Sequence, residues 1–415
     1  MSALNHQDYY RLPWNLPDNS ISWLEPTVQC NLACYGCYRR NEAGGHKSLE
    51  QIEDDLDVFQ KFRKFDAVSI AGGDPLVHPE IIEIVRRVKA RDLKPILNTN
   101  GLALTPELLR ELKQAGATGF TFHIDSKQNR PGWKDANELE LNELRHTYAQ
   151  MVADAGDLAC AFNSTVYEDS KKFVPEMMKW AERNIDIVQL MVFILYRAID
   201  AGRFDFFAGS EKLQADGLIY NDEGEDKKDV KTQEIYDLIR SEYPDFDGCA
   251  FLNGTDRPDS IKWLLSGRLG VPGKTYGYMG KKGMEIIQMF HHLIRDRYLA
   301  YSGPRTTRMG KSMLLFGVLD HRLRSAAKRF YSNPLNLFRR LHYQSIMVIQ
   351  PIDLLDDGSQ IMCDSCPDLS VWNGQLVWSC RMDEQLNYGC NLTTRPKAPC
   401  GAQKIASEEI PTGAA

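Results

Sequence analysis

From Trp23 to about Phe193, short β-rich runs alternate with stretches whose apolar residues recur at helical spacing, the pattern of successive βα units on a parallel sheet. Six strands are expected: Trp23 to Gln29, Asp66 to Ala71, Pro95 to Thr99, Gly119 to Ile124, Ala159 to Val166 and Ile187 to Phe193. Helices are expected between them near Leu49 to Phe62, Glu80 to Arg91, Pro106 to Ala115, Ala136 to Asp154 and Lys171 to Arg183. Thr105 before Pro106 marks one helix start, because a hydroxyl can accept from an orphan amide and proline suits the first helical position. Six such units predict an α/β fold, a partial (β/α)6 TIM-like barrel over 23–200 behind an N-terminal extension over 1–22.

After residue 200 the pattern changes. Polar turn residues around Tyr220 to Lys231 read as a loop or insertion. In Met284 to Leu299 the residues Ile286, Ile287, Phe290, Leu293 and Ile294 recur at helical spacing, and in Leu323 to Leu341 Ala326, Ala327, Phe330 and Tyr331 do the same. Residues 201–350 are therefore expected to hold an acidic insertion and a basic helical segment. Residues 351–415, with many turn residues and few helix signals, are expected to form a small Cys-rich C-terminal domain.

Composition narrows the class without changing it. Apolar residues make up 43% of the 415 and charged residues 26%, near the globular average, which excludes a mainly disordered or fibrous chain. The longest apolar run, Leu190 to Tyr196, is far short of the ~20 residues a bilayer crossing takes. Met1 to Trp14 lacks the basic start and apolar core of a secretory signal, so a cytoplasmic location is expected. There, ten cysteines point to metal or redox chemistry rather than to a disulfide framework. The net charge of -6 is unevenly spread: Asp205 to Asp247 holds thirteen acidic and five basic residues, whereas Lys281 to Tyr343 holds thirteen basic residues against Glu285, Asp296 and Asp320.

The densest chemistry is Cys30-Asn31-Leu32-Ala33-Cys34-Tyr35-Gly36-Cys37, directly after the first strand. Such a loop can turn three sulfurs to three corners of an iron–sulfur cube and leave one iron open. A structural zinc site would need a fourth tight ligand, for which His46 is the nearest candidate. Ala71-Gly72-Gly73-Asp74-Pro75 closes the second strand, where paired glycines permit close backbone approach and the carboxylate can accept from an ammonium. Asn98-Thr99-Asn100-Gly101 ends the third strand, and His123-Ile124-Asp125-Ser126 closes the fourth.

These motifs together resemble the radical S-adenosylmethionine (radical SAM) superfamily over Trp23 to Phe193. The resemblance implies a [4Fe–4S] cluster held by Cys30, Cys34 and Cys37, its open iron binding the amino and carboxylate groups of S-adenosylmethionine. It implies further contacts to that molecule from Gly72, Gly73, Asp74, Thr99 and Asn100, from His123, Asp125 or Ser126 at the ribose, and from Asn163 and Met191 near the adenine. An electron from a flavodoxin-like or ferredoxin-like donor would cleave the sulfonium bond to a 5′-deoxyadenosyl radical, which would take hydrogen from an unactivated C–H bond. Two departures stand out: Gly36 occupies the place of the family's aromatic residue before the third cysteine, flanked by Tyr35 and Tyr38, and Asp74 replaces the commoner glutamate.

A second constellation lies near the end: Cys363-Asp364-Ser365-Cys366, then Cys380, Cys390 and Cys400, with an Asn373-Gly374 turn between Val371 and Val377. A Cys-x2-Cys pair plus later thiols can build a four-thiolate site, and this one resembles the auxiliary-cluster extensions of radical SAM enzymes. Cys363, Cys366, Cys380 and Cys400 (or Cys390) are expected to hold an auxiliary [4Fe–4S] cluster, with zinc or unliganded thiols as alternatives. The basic block, where Arg305, Arg308, Lys311, Arg322, Arg324, Lys328 and Arg329 interleave with Met313, Leu314, Leu315 and Phe316, suits a lipid or isoprenoid-linked anionic substrate or a membrane surface as well as a plain solvated face. A peptide substrate is the rival reading, a non-enzymatic metal-binding module is the alternative of another class, and no nucleic-acid module is evident.

Overall fold

The computed structural model describes residues 3–197, 201–214, 218–219 and 230–397. Strands β1 (Ile21–Leu24), β2 (Ala67–Ile70), β3 (Lys94–Thr99), β4 (Gly119–His123), β5 (Ala159–Val166) and β6 (Leu190–Leu195) lie side by side in chain order. All are parallel, each beside the next. Helices α1 (Leu49–Phe62), α2 (Ile81–Ala90), α3 (Pro106–Ala115), α4 (Leu141–Ala155) and α5 (Val174–Arg183) make the crossovers. Their apolar stripes supply the outer core, as Ile52, Leu56 and Phe59 do from α1. Local chemistry sets their starts: Ser48 and Gln51 form a reciprocal capping box, and Thr105 accepts from the Leu108 amide beside Pro106.

β1 stops at Leu24 rather than running on to Gln29. Pro26 has no N–H for a ladder, and the chain beyond it pairs with the loop after β2 instead, Gly73 N donating to Thr27 O and Asp74 N to Gln29 O.

Residues 201–350 carry more strand than the hydropathy pattern suggested. After α6 (Thr232–Glu242) come β7 (Ala250–Leu252), β8 (Trp263–Val271) and β9 (Lys274–Tyr278), then α7 (Lys281–Arg295) and α8 (His321–Tyr331), and finally β10 (His342–Ile349). β10 adds a seventh parallel strand beside β6, Ser345 opposite Leu190, and β8 follows it antiparallel. The charge of the preceding block conceals the β-branched run of β10. α8 ends at Tyr331 rather than Leu341, because Ser332-Asn333-Pro334 breaks it and Asn333 caps a separate short turn.

The result is a partial barrel rather than a closed one: among the described residues β1 pairs with β2 alone. The C-terminal segment covers that edge. Its hairpin β11 (Leu369–Trp372) and β12 (Gln375–Trp378) turns at Asn373 and Gly374, both left-handed, and Ser370 Oγ donates to Trp23 O at 3.0 Å. Among the described residues no helix is long and apolar enough to cross a membrane.

Candidate functional site

At the carboxyl ends of the parallel strands, where barrel folds place their chemistry, lies a cavity of about 400 Å³. Cys30, Cys34, Cys37, Gly72, Gly73, Thr99, Asn100, His123, Asp125 and Asn163 all line it. Three expected residues do not. Met191 is fully buried in the core. Asp74 is buried, and its carboxylate accepts from Thr99 Oγ1 (2.8 Å), Asn100 N (2.8 Å) and Leu76 N (2.9 Å). Ser126 N donates to Glu138 Oε1 at 2.7 Å behind the cavity wall.

The Cys loop is held from several sides. Asn100 Nδ2 donates to Asn31 Oδ1 (2.7 Å) and approaches Cys30 Sγ (3.6 Å), while Leu32 N reaches the same sulfur at 3.4 Å. Tyr35 N donates to Lys127 O at 2.9 Å, tying the loop to the end of β4. Behind Cys37, Arg39 forms a buried pair with Glu25, Nε to Oε2 at 2.8 Å, and donates to Ser379 O at 2.6 Å. Burial raises all three thiols above their ordinary range in the protein alone, so any metal must displace their protons. Three thiols on one short loop, with N–H groups turned to a sulfur, fit an iron–sulfur cube, and the Asn98 amide Nδ2 faces the cavity without a hydrogen-bond partner among the described residues. Among the described residues no three His, Cys, Asp or Glu side chains converge as the ligands of one ion would; a cube takes each thiolate at a separate corner.

The two glycines that line the cavity also lie tight against backbone. A Cβ at Gly72 would lie 2.3 Å from Thr27 O and one at Gly73 2.1 Å from Gln29 O, so they allow the loop to lie against backbone leading into Cys30. Gly73→Ala should therefore destabilise the fold by about 1–3 kcal/mol, the cost of forced overpacking, with iron loading reduced in parallel; a thermal-unfolding curve identical to wild type would contradict this packing role.

Some residues of the site went unread in the sequence. Tyr167 and Tyr196, each the residue after a strand, join Tyr35 in an aromatic cluster with centroids 4.9 to 5.9 Å apart. They fill the space beside Gly36, where a Cβ would stand 2.7 Å from the Tyr167 hydroxyl. His123 Nε2 meets both Asp125 Oδ2 and Thr165 Oγ1 at 3.0 Å, and Arg130 Nη2 donates to Asn100 O at 2.8 Å. His123 and Asp125 are among the residues expected at the site and gain Thr165 as a partner; Tyr167 and Tyr196 follow directly on their strands, and Arg130 carries no sequence signal of its own.

The second thiol group is also assembled in part. Cys363 and Cys366 are buried and in sulfur contact, which lowers Cys363 and raises Cys366, and burial pushes Cys380 up to about 12. Cys380 lines the same cavity as the first three cysteines. Cys390 is half-buried after α9 (Met382–Tyr388), and Cys400 lies outside the described residues.

Parts of the chain are similar to known proteins. The family description "Radical SAM superfamily" matches residues 24–162. The AdoMet-dependent heme synthase of Methanosarcina barkeri is 29% identical over 195 residues, 45% of this chain and 52% of that protein. The tungsten-containing aldehyde ferredoxin oxidoreductase cofactor-modifying protein of Pyrococcus furiosus is 34% identical over 106 residues, 25% of this chain and 30% of that one. The mycofactocin maturase MftC of Mycobacterium tuberculosis is 34% identical over 107 residues, 25% and 27% of the two chains. The chain thus spans between about a quarter and a half of these relatives' lengths. Among solved structures, Streptococcus suis SuiB bound to S-adenosylmethionine matches with a TM-score of 0.39 at 15% identity, over 55% of this chain and 48% of that one.

Proposed function

We propose that this chain, whose residues 24–162 are a radical SAM superfamily domain and whose relatives of that superfamily are enzymes, binds S-adenosylmethionine in the upper cavity and performs radical chemistry on an unactivated C–H bond. The observation that carries the reading is the single cavity lined by the three-thiol loop and by the ends of β2 to β5. Cys30, Cys34 and Cys37 would hold the [4Fe–4S] cluster. When bound, cluster and S-adenosylmethionine supply the one-electron cleavage that yields methionine and a 5′-deoxyadenosyl radical.

The chain's own part is placement. Asp74 fixes the Thr99–Asn100 turn, which in turn holds Cys30. The His123–Asp125–Thr165 group offers polar atoms suited to ribose hydroxyls, and Tyr35, Tyr167 and Tyr196 offer ring faces suited to an adenine. A flavodoxin-like or ferredoxin-like donor would supply the electron, in a cytoplasmic setting. A peptide is the rival substrate.

Reduced, reconstituted protein should give an electron paramagnetic resonance signal that changes when S-adenosylmethionine is added, and a signal indifferent to it would sink this reading. We infer also that Cys363, Cys366 and Cys380 contribute to a second cluster, since Cys363 and Cys366 are in contact and Cys380 stands near enough to act on Cys366. The Cys30→Ala, Cys34→Ala, Cys37→Ala triple variant should then retain about four irons. Zinc in their place, or no metal, would refute the second cluster and leave the first untouched.

A further inference from the structure

A second cavity, of about 640 Å³, lies at the opposite, amino-terminal end of the strands, inside the ~300–1,000 Å³ range of pockets that enclose an organic ligand. Its floor is built by the N-terminal parts of β5 and β6, including Ala159, Ala161 and Leu190. Its outer wall comes from α7 and from the segment after it: Ile287, Phe290, Ile294, Met309, Leu315 and Phe316. Among its walls Gln189 Oε1 accepts from Cys160 N at 2.7 Å and the Tyr301 hydroxyl meets Thr121 Oγ1 at 3.4 Å, while the indole N–H groups of Trp14 and Trp23, Ser20 Oγ, Asn98 Nδ2 and Gln288 Oε1 are buried without a hydrogen-bond partner among the described residues.

The two cavities meet inside the barrel. Trp23, Asn98, Asn163, Ile194, Ile349 and Asp368 line both, so the two cavities adjoin across a junction of apolar and polar side chains between the α7 side and the thiol-lined site. Its outer end is rimmed by apolar side chains turned to solvent: Phe290 is 61% exposed, Leu293 81% and Leu315 75%. Next to this rim stands a loop of the same character, in which Phe338 is 90% exposed and Lys311 Nζ donates to Leu337 O at 2.7 Å. Cations surround these apolar groups. Arg305, Arg322 and Arg329 are paired with Asp157, Asp247 and Asp245, and Arg308 also acts on Asp157, but among the described residues exposed Lys328, Arg339 and Arg340 form no ion pair with a carboxylate.

Resting on the radical reading above, we propose that the substrate is an anionic lipid whose hydrocarbon chain enters through this rim, fills the lower cavity and presents a carbon remote from its headgroup to the upper site. An apolar bore explains the chain, since burying it removes apolar surface from water. The unpaired cations explain the headgroup's sign, and an exposed apolar rim set among basic residues is the composition of an interfacial surface.

Trp14, Trp23 and Trp263 line the lower cavity, which makes uptake of a chain directly readable. Full-length protein without cluster or S-adenosylmethionine is mixed with phosphatidylcholine vesicles containing phosphatidylglycerol, whose acyl chains carry bromine, a contact quencher of tryptophan. Quenching is expected for wild type. Phe290→Ser with Leu315→Ser, at side chains exposed enough to leave the fold intact, should weaken it by about tenfold per residue in apparent affinity. Arg339→Ser with Arg340→Ser should weaken it by roughly thirtyfold at low salt, an effect that fades as salt rises. Vesicle binding without quenching, quenching equal in the Phe290/Leu315 variant, or saturable binding of a peptide but not of the lipid would each overturn the proposal. Because no cluster is present, this result is independent of whether the radical chemistry itself is right.

Discussion

Cys34→Ala should reduce 5′-deoxyadenosine formation to the level of a protein-free control. Cys34 is the middle thiol of the loop and faces the cavity between the ends of β1 and β4. With two thiols left on the loop, a cube loses one of its three anchoring corners. The fold itself should survive, because the loop's backbone is held independently by Asn100, Lys127 and the Arg39–Glu25 pair. Turnover at the wild-type rate by this variant would remove the first cluster from the account.

Glu25→Ala should cost about 3–5 kcal/mol of folding stability, the penalty for leaving a buried cation without its anion. The Arg39 and Glu25 side chains are 1% and 5% exposed, so solvent cannot replace the lost partner. Glu25 also accepts from Ser370 Oγ at 2.9 Å, and Arg39 also donates to Ser379 O. The pair therefore joins three segments: the end of β1, the Cys loop and the C-terminal hairpin that carries the chain to Cys380. The same variant should detach that hairpin first, so chemical unfolding should show an early step absent from wild type. A change below about 1 kcal/mol, the usual worth of an exposed pair, would mean that the junction is not held this way.

The sequence was most informative where one physical signal dominated. Helices α1 and α3 begin where Ser48 and Thr105 stand as caps, and β5 is a run of eight residues with small and β-branched side chains bounded by polar turns. The thiol loop and the glycine pair were visible because such spacing and residue types are rare by chance. What escaped depended on contacts between distant segments. The role of Gly72 and Gly73 follows from Thr27 and Gln29, forty-odd residues away, and the sealing of Asp74 follows from Thr99. Tyr167 and Tyr196 carry no signal in the sequence that sets them beside Gly36; the fold does. β10 was hidden because its neighbours in the chain are basic, whereas its neighbours in space are β6 and β8. The lower cavity was legible only as an amphipathic pattern in α7; that both of its sides are apolar, one toward the barrel and one toward solvent, is a property of the assembled fold.

The central claim is that one cavity, shaped by the Cys30–Cys37 loop and the ends of β2 to β5, carries reductive cleavage of S-adenosylmethionine. The most direct measurement is chromatography of products after anaerobic reconstitution with iron and sulfide, addition of a strong reductant and S-adenosylmethionine. The account predicts 5′-deoxyadenosine and methionine in equal amounts, formed slowly without substrate. A protein that holds its full complement of iron yet yields neither product above control would contradict it.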